Sequence, residues 1–533
     1  MDALQHTSLS RAATPVLTPV LSARWAFSWQ HFVLCLGYVG AYLLLSYLPL
    51  FQSVTWRHVL MGDWILTHRA LPQVDPFLPL SDGFRWMPTS WLSDVLFGAI
   101  WRSSGVQGLS ITLAVVTLAM LILVGRACWL RSGRSVLTWL ALAFVVVPHT
   151  PTMSILRPEL LGLTCFSALL CLLAKWPESL EARSRSWWVA TLSLFVLWAN
   201  LDGSVLVGVA VLALLACGTA SDVALTEHSL RAALRTPRVQ RAVYLAEMAG
   251  VATLLQPLGF RLWTDVFHAE RGSAWTALGG LNPLVLTTGF GGAVAAVCLL
   301  AAVVLRLSPR RISAADVMLM LAALLVTALN QQMTIWFAPL AMWVLLPHVA
   351  ELLESRSWFA PKCDQPLFAE GEPAPPLAFK FTVLSGLAIW CAFVLSPLSN
   401  PVFGRGPLPL KRLVSNHAPL TLTEFLKKSD APSGLVWLPE SWGDWVTFDG
   451  PRGLKVSANS QIDLLSERQR NDGAQVTRAE GNWTRTLDRY GVELLIVDKQ
   501  KQPRLFDAAL GQGADWIIRH EDDQALVLKR KHP

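Results

Sequence analysis

The stretch WRHVLMGDWILTHRALPQVDPF at 56–77 combines the residue types that acid–base chemistry at a membrane surface requires. Asp63 and Asp75 supply carboxylates, which are the usual bases for deprotonating a hydroxyl group. Arg57 and His58 supply cations that can hold a phosphate. We therefore expect Asp75 or Asp63 to act as a catalytic base and Arg57 and His58 to bind phosphate. The alternative is that these charges face solvent or anchor the stretch at the membrane interface.

Five more polar residues fall at the ends of predicted apolar helices. An arginine at the membrane is costly, so Arg157 is expected to bind a phosphate, unless it only extends to the lipid headgroups. Asn200 and Asp202 lie just before a glycine, where a tight turn is the alternative to contact with a substrate. Asn330 and Gln331 end another helix. We expect these last four residues to line the same cavity.

The composition places these residues in a membrane protein. The chain of 533 residues is 53% hydrophobic and 15% charged, whereas soluble domains carry about 25% charged residues. The net charge of +7 is spread over short loops rather than gathered in one basic stripe, so we expect no nucleic-acid partner. The cysteines show no CxxC or Cys/His metal spacing. We therefore expect no cofactor, with a divalent metal left open.

Apolar runs long enough to cross a bilayer predict about eleven transmembrane helices. They are expected near residues 30–51, 105–124, 135–149, 158–176, 187–200, 203–221, 242–257, 286–305, 313–330, 333–349 and 379–397. Lysine and arginine concentrate in alternate short loops, which the positive-inside rule assigns to the cytoplasm together with the N-terminal tail, 1–29. An odd number of spans in the bundle (30–397) then places both the first long loop (52–104) and the C-terminal region (398–533) outside. We expect a multi-pass protein of the cytoplasmic, or inner, membrane.

The first long loop predicts two amphipathic helices, at 56–68 and 90–101, that lie in the membrane interface, where tryptophan is favoured. Asp94 is expected on the polar face of the second helix. Asp82 directly precedes Gly83 and is expected in a turn.

The C-terminal region alternates short apolar runs with polar helical segments, which is typical of a small α/β domain. Strands are expected at 434–439, 453–458, 492–497, 515–520 and 525–530, and helices at 482–491 and 503–514.

Several local motifs, in their order along the chain, resemble those of the C-type glycosyltransferase (GT-C) superfamily. The resemblance is strongest to its bacterial branch near the protein mannosyltransferases and the lipid A aminoarabinose transferases. The motifs are WRHVLMGDWIL (56–66), LPQVDPF (71–77), WLSDVLF (91–97), RPELL (157–161), LWANLDGS (197–204) and QPLGFRL (256–262). In architecture the resemblance covers most of the chain.

The resemblance implies an enzyme that transfers a sugar from a polyprenyl-phosphate donor at the outer membrane face. Its partners would be the lipid-linked sugar, membrane lipids and an acceptor that the sequence does not identify. Asp75 stands at a position that matches the family's first-loop motif.

Several positions depart from the family pattern. An aspartate usual before the Trp/His pair is replaced at Gln52 and Val54, and a glutamate before the second interfacial helix is replaced by Ser90. Asp202 stands where relatives carry histidine, and Gln256 where asparagine is usual. These replacements favour a second hypothesis, a non-catalytic scaffold or lipid-binding protein derived from the same fold. A transporter is less favoured, because few ionisable residues lie within the spans.

Overall fold

The computed structural model describes residues 27–50, 54–81, 84, 87–174, 184–267, 282–356, 376–429, 434–511 and 515–531. Most of the N-terminal tail, Gln52 and Asp82 therefore lie outside the described residues.

The chain up to Leu395 is helical. Its helices are α1 (Trp29–Ser46), α2 (Val54–His68), α3 (Trp91–Ser132), α4 (Ser135–Met153), α5 (Pro158–Leu172), α6 (Arg185–Leu201), α7 (Val205–Glu227), α8 (Leu230–Arg235), α9 (Pro237–Ala252), α10 (Arg261–Phe267), α11 (Gly289–Leu307), α12 (Ala314–Leu329), α13 (Thr334–Ser355) and α14 (Pro376–Leu395). Among the described residues, six helices are long and apolar enough to cross a membrane, and three more are apolar but shorter. Each predicted span falls on a helix, but α6 and α9 belong to neither group, so the number of spans stays a prediction.

Helix α3 joins two elements that the sequence predicts separately. The segment expected to lie in the interface and the following span form one element of 42 residues, interrupted at Gly105, where φ is 61° and ψ is −157°. A side chain disfavours this backbone conformation, so glycine is the residue that permits the change of direction. The N-terminal part of α3 can therefore pack on α2 while the rest enters the bundle.

Glycines bring α2 and α3 into backbone contact. A Cβ atom on Gly62 would lie 1.7 Å from the carbonyl oxygen of Asp94, and one on Gly98 would lie 2.6 Å from the carbonyl carbon of Gly62. Residues four apart share one face of a helix, so His58 lies on the same face as Gly62, and Asp94 on the same face as Gly98. The close approach of the glycines therefore places His58 beside Asp94.

The C-terminal part of the chain forms an α/β domain, here called the tail domain. Its elements are α15 (Leu410–Leu413), α16 (Leu420–Lys428), β1 (Leu435–Trp437), α17 (Glu440–Asp449), β2 (Lys455–Val456), α18 (Glu467–Thr477), α19 (Trp483–Arg489), β3 (Val492–Asp498), α20 (Pro503–Leu510), β4 (Trp516–Glu521) and β5 (Ala525–Arg530). The strands form one sheet in the order β2-β1-β3-β5-β4. β1 runs parallel to β2 and β3, whereas β5 is antiparallel to β3 and β4. All five predicted strands are confirmed, with shorter bounds for β1 and β2.

Aromatic packing joins α2 to the tail domain. The ring of Trp56 lies 4.8 Å from that of Trp445 and 4.7 Å from that of Phe448. Trp56 is only 2% exposed. Trp56 therefore packs against α17 instead of facing lipid, and the position of α2 in the membrane interface stays a prediction. A backbone bridge adds a second connection, since the amide of Leu50 donates to the carbonyl oxygen of Leu413 at 2.7 Å.

Replacing Gly62 with alanine is expected to lower the stability of the protein. The new methyl group would meet the backbone of Asp94, and overpacking of this kind costs about 1–3 kcal/mol or more. Thermal unfolding of the full chain in detergent measures the effect. Gly292→Ala on α11 is the matched control, because a Cβ atom there meets nothing within 4 Å. Equal unfolding temperatures for the two variants would contradict the close contact.

Candidate functional site

A buried ion pair joins α2 to the loop that follows it. A terminal guanidinium nitrogen of Arg57 lies 2.7 Å from Oδ2 of Asp75, with side chains 3% and 0% exposed. Oδ1 of Asp75 accepts hydrogen bonds from the amides of Phe77 (2.7 Å) and Leu78 (3.2 Å). Both carboxylate oxygens are thus engaged, as a buried charge requires. This geometry gives Asp75 and Arg57 a structural role, and their catalytic and phosphate-binding roles stay predictions.

His58 forms a second pair across the α2–α3 contact. Its Nδ1 lies 2.6 Å from Oδ1 of Asp94, and the hydroxyl of Ser90 donates to the same oxygen at 3.4 Å. Asp94 is 1% exposed. The prediction that Asp94 lies on an outward polar face is wrong, because α2 covers that face of α3. Phosphate binding by His58 stays a prediction, with only its second ring nitrogen left for it.

Asp444 of α17 adds a third carboxylate behind the same cations. It is 1% exposed, and its Oδ2 accepts from the amide of Ser460 at 3.3 Å. Burial raises the pKa of Asp444 to about 6, against the opposing effects of Arg57, Ser460 and His58. The charges of α2 therefore face acidic groups from α3, from the first loop and from the tail domain.

A cavity of about 810 Å³, here called the tail cavity, lies between the tail domain and the start of α2. Its tail-domain wall is formed at the carboxyl ends of the parallel strands, where Glu440 follows β1 and Lys501 and Gln502 follow β3. The chain leaves β1 towards β2 on one side and leaves β3 towards β4 on the other, and such switch points in α/β sheets are where ligands usually bind. The other wall includes Val54 and Trp56 of α2.

Glu440 is the only carboxylate among the described residues that line this cavity. Glu440 is exposed at the edge of the cavity, and its partial burial there raises its pKa, as do the nearby Asp463 and Asp444. A carboxylate with a raised pKa is a stronger base, which suits proton abstraction near neutral pH. Glu440 was not predicted from the sequence, although its place directly after a predicted strand could have identified it.

A second cavity, of about 390 Å³ and here called the bundle cavity, lies at the ends of α4, α5, α11 and α13. Arg157 and Gln331 line it, together with His149, Gln332 and Phe290. A terminal nitrogen of Arg157 lies 2.6 Å from Oε2 of Glu159. Both side chains remain partly exposed, at 27% and 22%, so the guanidinium can also reach a ligand.

The other predicted cavity-lining residues do not line either of these cavities. Asn200 accepts from the indole N–H of Trp91 at 3.0 Å and donates to the carbonyl of Leu255 at 2.9 Å. Asn330 accepts from the amide of Gln332 at 3.0 Å and so caps a short turn. Their contacts tie helix ends together.

Asp202 is partly buried beside the Arg157–Glu159 pair. Burial raises the pKa of Asp202 to about 6, the contacts with Ser204 lower it, Glu159 raises it and Arg157 lowers it.

Asp63 lies at the surface, where its carboxylate pairs with Nε of Arg102 at 2.6 Å and its side chain is 36% exposed. Asp63 lines neither cavity, and its role as a base stays a prediction.

One buried contact links the borders of the two cavities. The hydroxyl of Thr55 donates to the carbonyl of Leu156 at 2.9 Å, and this hydrogen bond is buried. The neighbours of Thr55, Val54 and Trp56, line the tail cavity, whereas Arg157, the neighbour of Leu156, lines the bundle cavity. The start of α2 therefore joins the borders of the two cavities, with Glu440 in one and Arg157 in the other.

Within the described residues, no group of three or more His, Cys, Asp or Glu side chains is placed to hold a metal ion. The use of a divalent metal or another cofactor stays a prediction.

The raised pKa of Asp444 predicts a pH-dependent effect of Asp444→Asn. A carboxyl group whose pKa rises from 3.8 to about 6 on folding destabilises the fold as pH rises through that window, because the folded state then binds more protons. Removing the charge should therefore stabilise the protein at pH 7.5 relative to pH 4.5, by up to about 3 kcal/mol.

Thermal unfolding of the full chain at the two pH values checks this expectation. Asp449→Asn is the matched control, since it removes a carboxylate from the same helix that pairs instead with Lys427. An identical effect of Asp444→Asn at both pH values would contradict the burial argument.

No family model matches this sequence, and no curated protein matches it. Among solved structures, it is similar to an oligosaccharyltransferase from Archaeoglobus fulgidus tethered to an acceptor peptide, with a TM-score of 0.48, 12% identity and coverage of 95% of this chain and 75% of that one. The structure of the same enzyme with zinc and sulfate has a TM-score of 0.40 and 12% identity, and the match covers 88% of this chain and 68% of that one. An arabinofuranosyltransferase from mycobacteria has a TM-score of 0.46 and 13% identity, and the match covers 96% of this chain and 40% of that one. Similarities this distant assign neither a family nor an activity to the chain.

Proposed function

We propose that this protein is a membrane glycosyltransferase of the GT-C type that transfers a sugar from a polyprenyl-phosphate donor at the outer membrane face. The observation that carries the proposal is the placement of Arg157 and Glu440 in adjacent cavities. A cation for the leaving phosphate and a base for the acceptor are the two groups that inverting sugar transfer needs.

In this proposal Glu440 takes the proton from an acceptor hydroxyl. The hydroxyl oxygen forms a bond to the anomeric carbon while the bond from that carbon to the phosphate oxygen breaks. The departing phosphate keeps the bonding electrons, and Arg157 stabilises its negative charge. The proton remains on Glu440 until solvent removes it.

The size and lining of the tail cavity support a sugar ligand. Cavities that enclose small ligands typically measure about 300–1,000 Å³, and the tail cavity falls in this range at about 810 Å³. The exposed side chains of Ser441 and Thr477 offer hydrogen-bonding hydroxyl groups. Hydrogen bonds of this kind suit the hydroxyl groups of a sugar.

The second hypothesis, a non-catalytic scaffold or lipid-binding protein, has its own support. Asp75 is buried in a pair with Arg57, and Asp94 is buried in a pair with His58. Under this hypothesis these two carboxylates stabilise the fold and take no part in chemistry. Under this hypothesis Arg157 would bind a lipid phosphate and Glu440 would have no chemical role. The two hypotheses therefore differ in what the loss of Glu440 does.

Glu440→Gln is expected to reduce sugar transfer by about 10²–10⁴-fold, which is the usual contribution of a general base. Donor binding should persist, because the substitution leaves the bundle cavity intact. Arg157→Gln should instead weaken donor binding by about 10-fold or more, since a hydrogen bond to a charged group contributes about 1.5–3 kcal/mol. Transfer of labelled sugar from polyprenyl-phosphate donors by the purified protein, with donor binding measured separately, distinguishes the two effects.

The pH profile gives a further readout. A base must be deprotonated, so activity should rise with pH through the raised pKa of Glu440, and Glu440→Gln should remove this limb. Asp63→Asn is the control for a carboxylate outside both cavities. If Asp63→Asn abolishes transfer while Glu440→Gln leaves it unchanged, the assignment of the base is wrong. A parent protein that binds no donor would leave the enzyme without support.

A further inference from the structure

Four arginines meet at the end of the bundle opposite to the first loop. They line a pocket of about 120 Å³, here called the arginine pocket, between the C-terminal ends of α3 and α7 and the N-terminal ends of α9 and α12. Its charged residues are Arg131, Arg238, Arg310, Arg311, Asp222 and Asp316. The four cations exceed the two carboxylates, so the pocket carries excess positive charge.

The pocket is built from fixed side chains. The guanidinium of Arg131 stacks 4.0 Å above the ring of Trp343, and its Nε donates to the carbonyl of that residue at 3.0 Å. Trp343 itself is 2% exposed. Because the ring and the carbonyl hold Arg131 in place, little conformational entropy remains to be lost when an anion binds.

The two carboxylates are engaged elsewhere. Oδ1 of Asp222 accepts from the amide of Ala314 at 2.9 Å. Oδ2 of Asp316 accepts from the hydroxyl of Ser313 at 2.7 Å and lies 3.9 Å from His348. Asp222 and Asp316 therefore hold the start of α12, and Asp316 also faces His348, although Arg131 lies close enough to interact with its charge.

Two of the arginines lack a protein partner among the described residues. Nε of Arg238 is buried without a hydrogen-bond acceptor, and neither Arg238 nor Arg311 forms an ion pair in the described part of the chain. Arg310 has only a partly exposed contact with Glu351 at 3.5 Å. A buried guanidinium nitrogen without an acceptor is unfavourable, and an anion bound in the pocket would satisfy it.

The surroundings indicate what the anion is attached to. The pocket is smaller than cavities that enclose whole ligands, about 300–1,000 Å³, but it has room for a phosphate group. Exposed apolar side chains flank it, including Leu307 at 50%, Ile312 at 39% and Val317 at 42% exposure. We propose that the arginine pocket binds the phosphate of an anionic membrane lipid, whose acyl chains lie along these apolar side chains. The site is separate from Arg157 and Glu440.

Native mass spectrometry of the full chain, with phosphatidylglycerol and phosphatidylcholine supplied in equal amounts, tests the proposal. The parent protein should retain phosphatidylglycerol preferentially. Each arginine near the membrane surface contributes about 1 kcal/mol to the binding of anionic lipid, which is about fivefold. The double variant Arg238→Gln/Arg311→Gln should therefore lower the retention of phosphatidylglycerol by about 25-fold and leave phosphatidylcholine unchanged.

The matched control is Arg231→Gln/Arg235→Gln, which removes two exposed charges from α8, outside the pocket. It should retain phosphatidylglycerol as the parent does. Equal losses in the two double variants would overturn the proposal, because a general surface charge would then explain the binding. A delipidated protein that binds inorganic phosphate through Arg238 and Arg311 but retains no phosphatidylglycerol would also overturn it, in favour of a soluble anion. Sugar transfer is not the readout, so failure here is independent of the proposed activity.

Discussion

The buried guanidinium of Arg57 determines how the parts of this protein fit together. It pairs at 2.7 Å with Asp75 of the first loop and also lies close enough to Asp444 of the tail domain to lower the pKa of that carboxyl. Removing one partner of a buried ion pair costs about 3–5 kcal/mol, because the remaining charge is left without water. The loop and the tail domain therefore cannot leave α2 without exposing or isolating this charge, and the walls of the tail cavity keep their relative positions.

The same constraint decides which carboxylates remain for chemistry. Asp75 is buried in a pair with the guanidinium of Arg57 and Asp94 in a pair with His58, and a carboxylate buried against a cation cannot take up a proton without leaving that cation uncompensated. A base has to come from an element that faces open space. The tail domain provides one, because Glu440 follows a parallel strand whose carboxyl end faces the tail cavity. The first loop thus supplies rigidity, and the strand ends of the tail domain supply the reactive group.

The sequence was informative about elements and much less about their partners. Hydrophobic periodicity located the long apolar helices and all five strands, because it depends only on neighbouring residues, but α17, which carries Glu440 and Asp444, was not predicted. The orientation of Asp94 could not be obtained in this way, since α3 carries no information about which helix covers its polar face. The contact depends on Gly62 and Gly98, whose missing side chains give no hydrophobic pattern. Glu440 could have been predicted as a site residue, because it directly follows a predicted strand. The burial of Asp444 close to Arg57 could not, because it arises only when distant parts of the chain meet.

The two ends of the bundle differ in whether their cationic side chains have carboxylate partners. At the end covered by the tail domain, Arg57 and His58 have carboxylates within 2.7 Å, because their side chains are largely buried, at 3% and 18% exposure. At the other end, Arg238 and Arg311 have no carboxylate partner in the described part of the chain, although Asp222 and Asp316 line the same pocket. A cation next to the headgroup layer does not need an internal partner, since anionic lipids supply one from outside. The difference in pairing therefore follows from what covers each end of the bundle.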